Sequence, residues 1–505
     1  MKQIKSVCPE CKKVLDSTLF EENGKIMLKK TCPEHGTFLD TYWSDSELYK
    51  KFNRYSYIGS GVLNDKISSS SGCPLDCGIC SGHESGTLLA NIDVTNRCNL
   101  NCPVCFANAR ASGFIYEPEF EQIREMMLTL RNEKPVPCYA IQFAGGEPTV
   151  REDLPEIIEL ARKLGFSQVQ IATNGIKLAK SQEYCNDLRE AGLHTVYLSF
   201  DGVSEEPYRA TRGFNAFPIK QKVLENCRQA GLNSVVLVPT LIKGVNEHQV
   251  GDIVRFAARN GDVVKGVNFQ PVAFTGRIDQ ALREEQRITI PDLAALLEEQ
   301  TEGEIPREAW YPASAAVPIS RFLTTVRKVP LPEFTVHPLC GAATYVFENG
   351  GKLIPISEFV DVEGFLEFLE DVTPEFKEPG LRVKKVAKVI SQLPRYIDES
   401  RCPKDLKILS LVSNFLKTGS REQTAQFHRK ALFLGAMHFQ DLYNMDLERA
   451  KRCGIHYAIP DGRVIPFCTY NNFHREEVEA RYSKPYKEIM EYKNEFLEVQ
   501  QREAA

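Results

Sequence analysis

The chain has 505 residues, 43% hydrophobic and 26% charged, ordinary globular usage that excludes wholesale disorder and fibrous architectures. Its 62 Lys and Arg against 67 Asp and Glu leave a net charge of −5 with no long single-sign run, so nucleic acid is not an expected partner. No stretch approaches the ~18 apolar residues of a membrane span, and Met1–Val7 carries no apolar signal core behind its lysines. A cytoplasmic protein of about three domains is expected.

The 16 cysteines are too few for a disulfide framework of this length and are expected to stay reduced. They are clustered instead: Cys8/Cys11/Cys32, Cys73/Cys77/Cys80 and Cys98/Cys102/Cys105, then a late scatter at Cys340, Cys402, Cys453 and Cys468. Clustered thiolates in a reducing compartment point to metal.

Residues 1–50 read as a small metal ribbon. Cys8-Pro-Glu-Cys11 is one knuckle, Cys32-Pro-Glu-His35 a second, and Thr18–Lys30 between them predicts a hairpin turning at Glu22-Asn23-Gly24. A two-residue gap lets both side chains of a knuckle converge on one ion, either Zn²⁺ or Fe, and so short a domain draws much of its folding energy from that ion. With four protein ligands the site has no open position, so a scaffold role is expected.

Residues 51–86 are a linker, Gly/Ser-rich at Ser68–Gly72, that leads into the Cys73-x3-Cys77-x2-Cys80 triplet. Residues 87–290 then alternate strand and amphipathic helix. Strands are predicted at Leu88–Thr95, Cys138–Ala144, Gln168–Thr173, His194–Phe200, Ser234–Thr240 and Gly266–Pro271. Helical faces run through Phe120, Ile123, Met127 and Leu130, through Leu154, Ile157, Ala161 and Leu164, and through Val223, Leu224, Cys227 and Ala230. Six βα units imply a parallel sheet with right-handed crossovers, doubly wound or a barrel missing two strands, with chemistry at the C-terminal strand ends. Residues 291–505 lose the alternation. Phe334–Val362 reads as short strands, Asp405–Leu416 and Gln423–Asp446 as helices, Ile455–Phe467 as a hairpin and Glu476–Glu498 as a polar helix.

The strongest chemical signal directly follows the first strand: Asp93-Val-Thr-Asn-Arg-Cys98-Asn-Leu-Asn-Cys102-Pro-Val-Cys105. Three cysteines at this spacing hold three corners of a [4Fe–4S] cube and leave one iron open for a chelating ligand. The same spacing at Cys73, Cys77 and Cys80 fits an auxiliary [4Fe–4S] cluster better than a zinc site. Its fourth ligand must come from afar or from substrate; His83 is a candidate, or else an ordinary loop histidine. Each late cysteine neighbours Gly or Pro. With the triplet they make seven thiols, one short of two closed cubes, although any of them can instead be core. Cys138, Cys185 and Cys227 read as small hydrophobes.

The Cys98/Cys102/Cys105 loop after strand one of a (βα)6 run resembles the radical S-adenosylmethionine (radical SAM) superfamily. Further motifs sit at the strand ends: Gly145-Gly146-Glu147-Pro148, Thr173-Asn174-Gly175, Ser199-Phe-Asp201-Gly, Pro239-Thr240 and Asn268-Phe-Gln270-Pro271. The resemblance implies a partial TIM-like α/β barrel with an N-terminal rubredoxin-like ribbon and a C-terminal α+β iron–sulfur domain. It places S-adenosylmethionine against Gly145, Gly146 and Glu147, with Thr173, Asn174, Ser199, Asp201, Thr240 and Gln270 as further cofactor contacts. It also implies reductive cleavage to methionine and a 5′-deoxyadenosyl radical. Val104 departs from the family, which usually carries an aromatic residue there.

The C-terminal wording Gly435-Ala-Met-His438-Phe-Gln-Asp441, Arg452-Cys453-Gly-Ile-His456-Tyr457 and Pro466-Phe-Cys468 looks like the archaeal tetraether lipid synthases, whose relatives include proteins labelled pterin methyltransferases. That match implies hydrogen abstraction from terminal methyl carbons of isoprenoid ether lipids and their C–C coupling. The expected partners are about three [4Fe–4S] clusters, one mononuclear Fe or Zn ion, an electron donor such as ferredoxin or flavodoxin, and the membrane surface. Phe269, Phe274, Phe322, Phe334, Leu432, Phe433, Leu434, Met437 and Phe439 are candidates for a lipid tunnel. The alternative is a radical methyltransferase acting on 7,8-dihydro-6-hydroxymethylpterin, which requires a compact pocket with carboxylate or amide partners.

Overall fold

Four antiparallel strands in sequence order form the N-terminal ribbon: β1 (Lys2–Val7), β2 (Val14–Glu22), β3 (Lys25–Cys32) and β4 (Gly36–Trp43). Asn23 and Gly24, with φ of 51° and 73°, make the two-residue turn between β2 and β3 that the twist of the paired strands selects. The computed structural model describes residues 1–484 apart from 66, 68–71, 110–112, 379–380, 404–405 and 419–426. Residues 68–71 of the linker, 423–426 of the helix expected before Asp446 and 485–498 of the expected terminal helix lie outside the described residues. The part of the terminal helix within them is helical over Arg475–Arg481.

Six parallel strands follow, side by side in sequence order: β5 (Leu89–Thr95), β6 (Ala140–Gly145), β7 (Gln168–Thr173), β8 (Thr195–Ser199), β9 (Val235–Val238) and β10 (Val264–Pro271). Helices pack over one face, which is why a strand such as Val235–Val238 reads as a continuous apolar run. Val250–Arg259 buries Val250, Ile253, Val254 and Ala257, one face at helical spacing. Phe217–Ala230 ends at Gly231, whose φ of 75° closes the last turn. Cys138, Cys185 and Cys227 are fully buried members of this core.

The two parallel strands that a six-unit barrel lacks come from the C-terminal segment. It contributes β11 (Gly341–Asn349), β12 (Leu432–Met437), β13 (Ile455–Ala458) and β14 (Val464–Pro466). β12 runs parallel to β10 and β13 parallel to β5, one on each flank of the six. β11 and β14 then add antiparallel outside them. Among the described residues no ladder joins β12 to β13, so the barrel keeps a seam. The helix expected over Gln423–Asp446 is corrected here: its apolar run Leu432–Met437 is a strand. Short apolar runs suit either a buried helix or a buried strand, and pairing with Gly266–Phe269 decides for the strand. There Gly435 lets the backbone pass close to β10, since a Cβ would lie 2.6 Å from Asn268 Oδ1.

The ribbon packs on the segment bridging the seam. Lys30 Nζ donates to Leu442 O at 2.7 Å, Tyr42 OH to Asp446 Oδ2 at 2.7 Å, and Arg287 joins Asp40 of β4 to Asp441. A separate apolar cluster collects Phe322, Phe347, Phe359, Leu369 and Val389, with Cys402 packed on it. No helix among the described residues is long and apolar enough to cross a membrane.

Candidate functional site

In the ribbon, Cys8, Cys11, Cys32 and His35 are brought together, all four ligand atoms within 4.8 Å of one another. Cys8 Sγ lies 3.7 Å and Cys32 Sγ 3.5 Å from His35 Nδ1, and Cys11 Sγ lies 3.9 Å from Cys32 Sγ. These are the edges of a tetrahedron with metal–ligand bonds of about 2.0–2.3 Å. Although burial pushes the Cys32 thiol up, hydrogen bonds from the Glu34 backbone, the His35 side chain and the His35 backbone pull it down to about 6, so it binds as thiolate.

At the mouth of the barrel a cavity of about 280 Å³ is lined by Cys98, Cys102 and Cys105 together with Gly145, Gly146, Glu147, Thr173, Asn174, Ser199, Thr240 and Gln270. Of the expected cofactor contacts only Asp201 stands back from it. The Gly145-Gly146 pair explains itself by distance: a Cβ would lie 2.0 Å from Thr95 O at the first and 2.1 Å from Arg97 O at the second. Gly146 N donates to Thr95 O and Glu147 N to Arg97 O, both at 2.8 Å, so the end of β6 is laced to the root of the cysteine loop. On the loop's far side Gly276 (φ 70°) lets the chain approach Cys105. Cys105 and Arg277 exchange backbone bonds at 2.9 Å, while the Arg277 guanidinium donates to Cys102 O at 2.9 Å and to Asn101 Oδ1 at 2.7 Å.

Glu147 is 1% exposed, and burial pushes its carboxyl up. Thr149 N, Thr149 Oγ1 and Thr173 Oγ1 donate to Oε1 at 3.1, 2.6 and 2.7 Å, and Asn174 N donates to Oε2 at 2.7 Å. One lone pair of Oε2 stays available for an ammonium group. Asn174 Nδ2 donates to Asn99 Oδ1 at 2.7 Å, tying β7 to the cysteine loop. Asp201 is fully buried and grips Arg212 at 2.6 and 3.1 Å; burial opposes the Arg212 charge, but Asp201 and the Cys102 sulfur hold it protonated. Lys220, 2% exposed, donates to Asn174 O at 2.6 Å and Ser199 Oγ at 3.1 Å; burial and then Arg212 push it down to about 7. Burial, then the Glu147 charge, pushes the Cys98 thiol up, so as thiolate it requires a cationic partner. The donor set fits a [4Fe–4S] cluster: three cysteines on one loop, a buried cation beside Cys102, and one unclaimed carboxylate lone pair. Val104 packs with Ile242, Val272 and Phe274 as an apolar wall.

Below this rim the barrel is lined with amides. Gln168 Nε2 donates to Gln170 Oε1 at 3.1 Å, Gln170 Nε2 to Gln142 Oε1 at 2.6 Å, and Gln142 Nε2 to Asn91 Oδ1 at 2.7 Å. On the opposite wall Gln270 Nε2 donates to Tyr197 OH at 3.2 Å.

The late cysteines divide. Cys340, Cys453 and Cys468 meet at the seam: Arg449 Nε donates to Cys340 Sγ at 3.4 Å, Gln440 N to Cys468 Sγ at 3.2 Å, and burial, then the neighbouring Cys468 and Cys340, pushes the Cys453 thiol up. The Cys73–Cys80 loop lies against the same segment. Cys77 Sγ is 3.0 Å from Thr469 Oγ1, Cys73 contacts Cys77, and Ile79 N donates to Val464 O. His83 Nε2 is engaged by Cys453 O at 2.9 Å and His456 Nε2 at 3.0 Å. Cys402 is elsewhere, on the satellite cluster, with Glu399 and Asp398 as its charged neighbours.

Residues 92–257 match the radical SAM superfamily, and residues 1–44 match the HMPTM N-terminal zinc ribbon domain. Over 493 residues the chain is 54% identical to the 7,8-dihydro-6-hydroxymethylpterin dimethyltransferase of Methanocaldococcus jannaschii, covering 96% of each chain. The chain belongs to the radical SAM superfamily, in the same family as that protein. It is therefore a radical SAM enzyme, whose fold family carries a [4Fe–4S] cluster and S-adenosylmethionine. A probable GTP 3′,8-cyclase of Methanothermobacter marburgensis is 30% identical over 185 residues, 36% of this chain and 58% of that one. The solved structure of Streptococcus suis SuiB bound to S-adenosylmethionine aligns over 44% of this chain and 48% of its own, with 16% identity and a TM-score of 0.34.

The expected tetraether lipid synthase is overturned by this radical SAM family member of nearly equal length, which is named a pterin dimethyltransferase. Packing agrees with the correction. Phe269, Leu432 and Leu434 lie in the main core, Phe322 in the satellite core and Phe274 beside Val104, so of the expected tunnel residues only Met437 and Phe439 line the cavity. Arg212, Lys220, Asn99 and the amide chain escape sequence reasoning because their partners are distant in sequence and meet them only in the fold. Gly276 and Arg277 are likewise revealed only by the fold, which sets them against the cysteine loop.

Proposed function

We propose that the chain is a radical SAM methyltransferase acting on a small reduced pterin of the 7,8-dihydro-6-hydroxymethylpterin type. The observation that carries this reading is the near full-length 54% identity to a protein so named. The compact amide-lined cavity supports it, because a flat heterocycle edged with donors and acceptors is selected by amides, whereas a long alkyl chain leaves them unsatisfied.

A [4Fe–4S] cluster and S-adenosylmethionine held at Cys98, Cys102 and Cys105 supply one-electron chemistry at carbon. The chain's own groups do the rest. Arg277 and the Gly145-Gly146 backbone hold the cysteine loop at the rim. Glu147 offers Oε2 to the cofactor's ammonium group, while Arg212, fixed by Asp201, offsets negative charge beside Cys102. Val104 and Val272 give the cavity an apolar wall, backed by Ile242. Two further [4Fe–4S] clusters belong to this reading, one on Cys73, Cys77 and Cys80 and one on Cys340, Cys453 and Cys468, with an external donor such as ferredoxin or flavodoxin.

The test is anaerobic incubation with S-adenosylmethionine, a strong reductant and 7,8-dihydro-6-hydroxymethylpterin. Methylated pterin by mass spectrometry is the expected product; 5′-deoxyadenosine release with the pterin recovered unchanged would overturn the assignment. Iron and acid-labile sulfide near twelve per chain would support about three cubes.

A further inference from the structure

Two buried polar atoms on one strand face of the barrel have no partner. Asn91 and Asp93 of β5 are 1% and 3% exposed, and among the described residues Asn91 Nδ2 and Asp93 Oδ1 make no hydrogen bond. Both side chains face the interior. Asn91 lines the cavity beside Gln142 of the neighbouring strand; Asp93 is not itself in the lining but lies two residues along the same strand face and pairs in register with Ala144, which is. The other Asp93 oxygen accepts from Arg475 Nη1 at 2.7 Å, and Arg475 lines the same cavity.

Each atom is free for a structural reason. The amide chain Gln168, Gln170, Gln142, Asn91 runs with every donor pointing the same way, so Asn91 Oδ1 is consumed and its NH₂ is left at the end. Donors polarised in series are strengthened, which makes that terminal N–H a strong donor. Asp93 is oriented by Arg475, itself fixed by Glu479 at 2.8 Å, Asn471 at 2.8 Å and Tyr457 OH at 3.2 Å. A buried donor and a buried acceptor left unmatched cost stability unless a ligand completes them. Here they stand two residues apart on one face, and a ring bearing a carbonyl next to an N–H presents the complementary edge.

We propose that Asn91 and Asp93 are the substrate-recognition pair, Asn91 Nδ2 donating to the ring carbonyl oxygen of the pterin and Asp93 Oδ1 accepting from its ring N–H and 2-amino group. This rests on the pterin reading above and assigns the two residues that read the heterocycle. Asp93 selects the 2-amino group, and Asn91 supplies affinity common to any ring with that carbonyl.

The experiment measures binding of two ligands to the anaerobically reconstituted full chain by calorimetry: 7,8-dihydro-6-hydroxymethylpterin, and the corresponding lumazine in which an oxo group replaces the 2-amino group. The wild type is expected to prefer the pterin about tenfold or more, because the oxo group of the lumazine leaves the buried Asp93 oxygen without a donor. Asp93→Asn is expected to abolish or reverse that preference, because the side-chain amide offers an N–H to the oxo group. Asn91→Leu is expected to weaken both ligands about tenfold and to leave their ratio unchanged. A general loss of folding moves both ligands together and cannot produce the first result. Pterin binding with an unaltered ratio in Asp93→Asn, or unaltered affinities in Asn91→Leu, would overturn the assignment while the pterin reading stands. Failure of the wild type to bind the pterin would overturn both.

Discussion

The cysteine loop at the barrel rim and the cysteines at the seam present the same kind of donor by opposite routes. Cys98, Cys102 and Cys105 come from one short loop directly after β5, and the strand ends around them hold that loop through backbone bonds from Gly146, Glu147 and Arg277. Cys340, Cys453 and Cys468 come from before β11, before β13 and after β14, and they meet only because β12 and β13 complete the sheet on its two flanks. The first donor set depends on local chain geometry, the second on the whole barrel and on the ribbon behind it. Lys30 and Tyr42 of the ribbon, and Asp40 through Arg287, reach the bridging segment that carries Gln440 and Arg449, and these two touch the seam sulfurs. Damage at the rim should therefore stop the chemistry and spare the seam, whereas damage to the ribbon should travel to the seam first.

The largest expected effect separates the two sites directly. Cys102→Ala is expected to abolish 5′-deoxyadenosine formation while the iron of the proposed seam cluster stays. Cys340→Ala is expected to lose about four irons per chain and to keep reductive cleavage of S-adenosylmethionine. Chromatography of 5′-deoxyadenosine beside iron and sulfide assays reads both. Equal loss of cleavage in Cys340→Ala would show that the two regions are one unit.

Next in size is removal of the ribbon ion. Apparent binding free energies of structural zinc sites are on the order of 10 kcal/mol, so Cys32→Ser should lose the ion and lower the melting temperature substantially. If the ribbon supports the seam, iron at the seam should fall in the same preparation while 5′-deoxyadenosine formation persists. Unchanged iron content would show that the bridging segment stands without the ribbon.

How much of this was legible follows the same division. The six strands and the rim loop are readable because they depend on period-two and helical patterning and on the spacing of Cys98, Cys102 and Cys105 within one loop. The ribbon is readable because its four ligands sit in two knuckles. Leu432–Met437 misleads because a short apolar run with glycine inside it carries no period of its own, and only its pairing with β10 fixes it as a strand. Cys402 resembles Cys340 and Cys453 in having a turn residue, Pro or Gly, directly after it, yet it packs with Ile397 and Leu406 on the satellite core. The Gln168, Gln170, Gln142, Asn91 chain reads as ordinary polar residues until three strands are set in register. Substrate identity lay furthest from the sequence patterning: both lipid and pterin readings share every cysteine, and the amides that favour the pterin are invisible until they face one another.

A smaller effect probes how the rim is held. Asp201 carries no exposed atom and fixes Arg212 against the cysteine loop, so Asp201→Asn leaves a buried guanidinium without its counter-charge. Breaking one partner of a buried pair costs about 3–5 kcal/mol. Chemical denaturation should show a loss of that order, together with weaker S-adenosylmethionine binding. A stability loss with unchanged cofactor binding would confine Asp201 to the fold.

The smallest effect is a change of slope. Burial and Arg212 push Lys220 down to about 7 from an ordinary value near 10.5, so between those pH values the unfolded chain binds a proton that the folded one does not. Stability should then rise with pH across that window, because folding must strip the lysine of its proton and that cost, full below pH 7, shrinks as the pH approaches 10.5. Lys220→Met removes the titrating group. Wild-type stability relative to that variant should therefore improve steadily from pH 7 to pH 10, and since Lys30, pushed down to about 8, is present in both proteins, its contribution cancels in the difference. Parallel melting curves across the window would mean that Lys220 keeps its proton in the fold, held by Asn174 O, Ser199 Oγ and the Asp201 charge. The rim would then contain a second permanent cation beside Arg212, and the charge available to balance the cysteine loop would be larger by one.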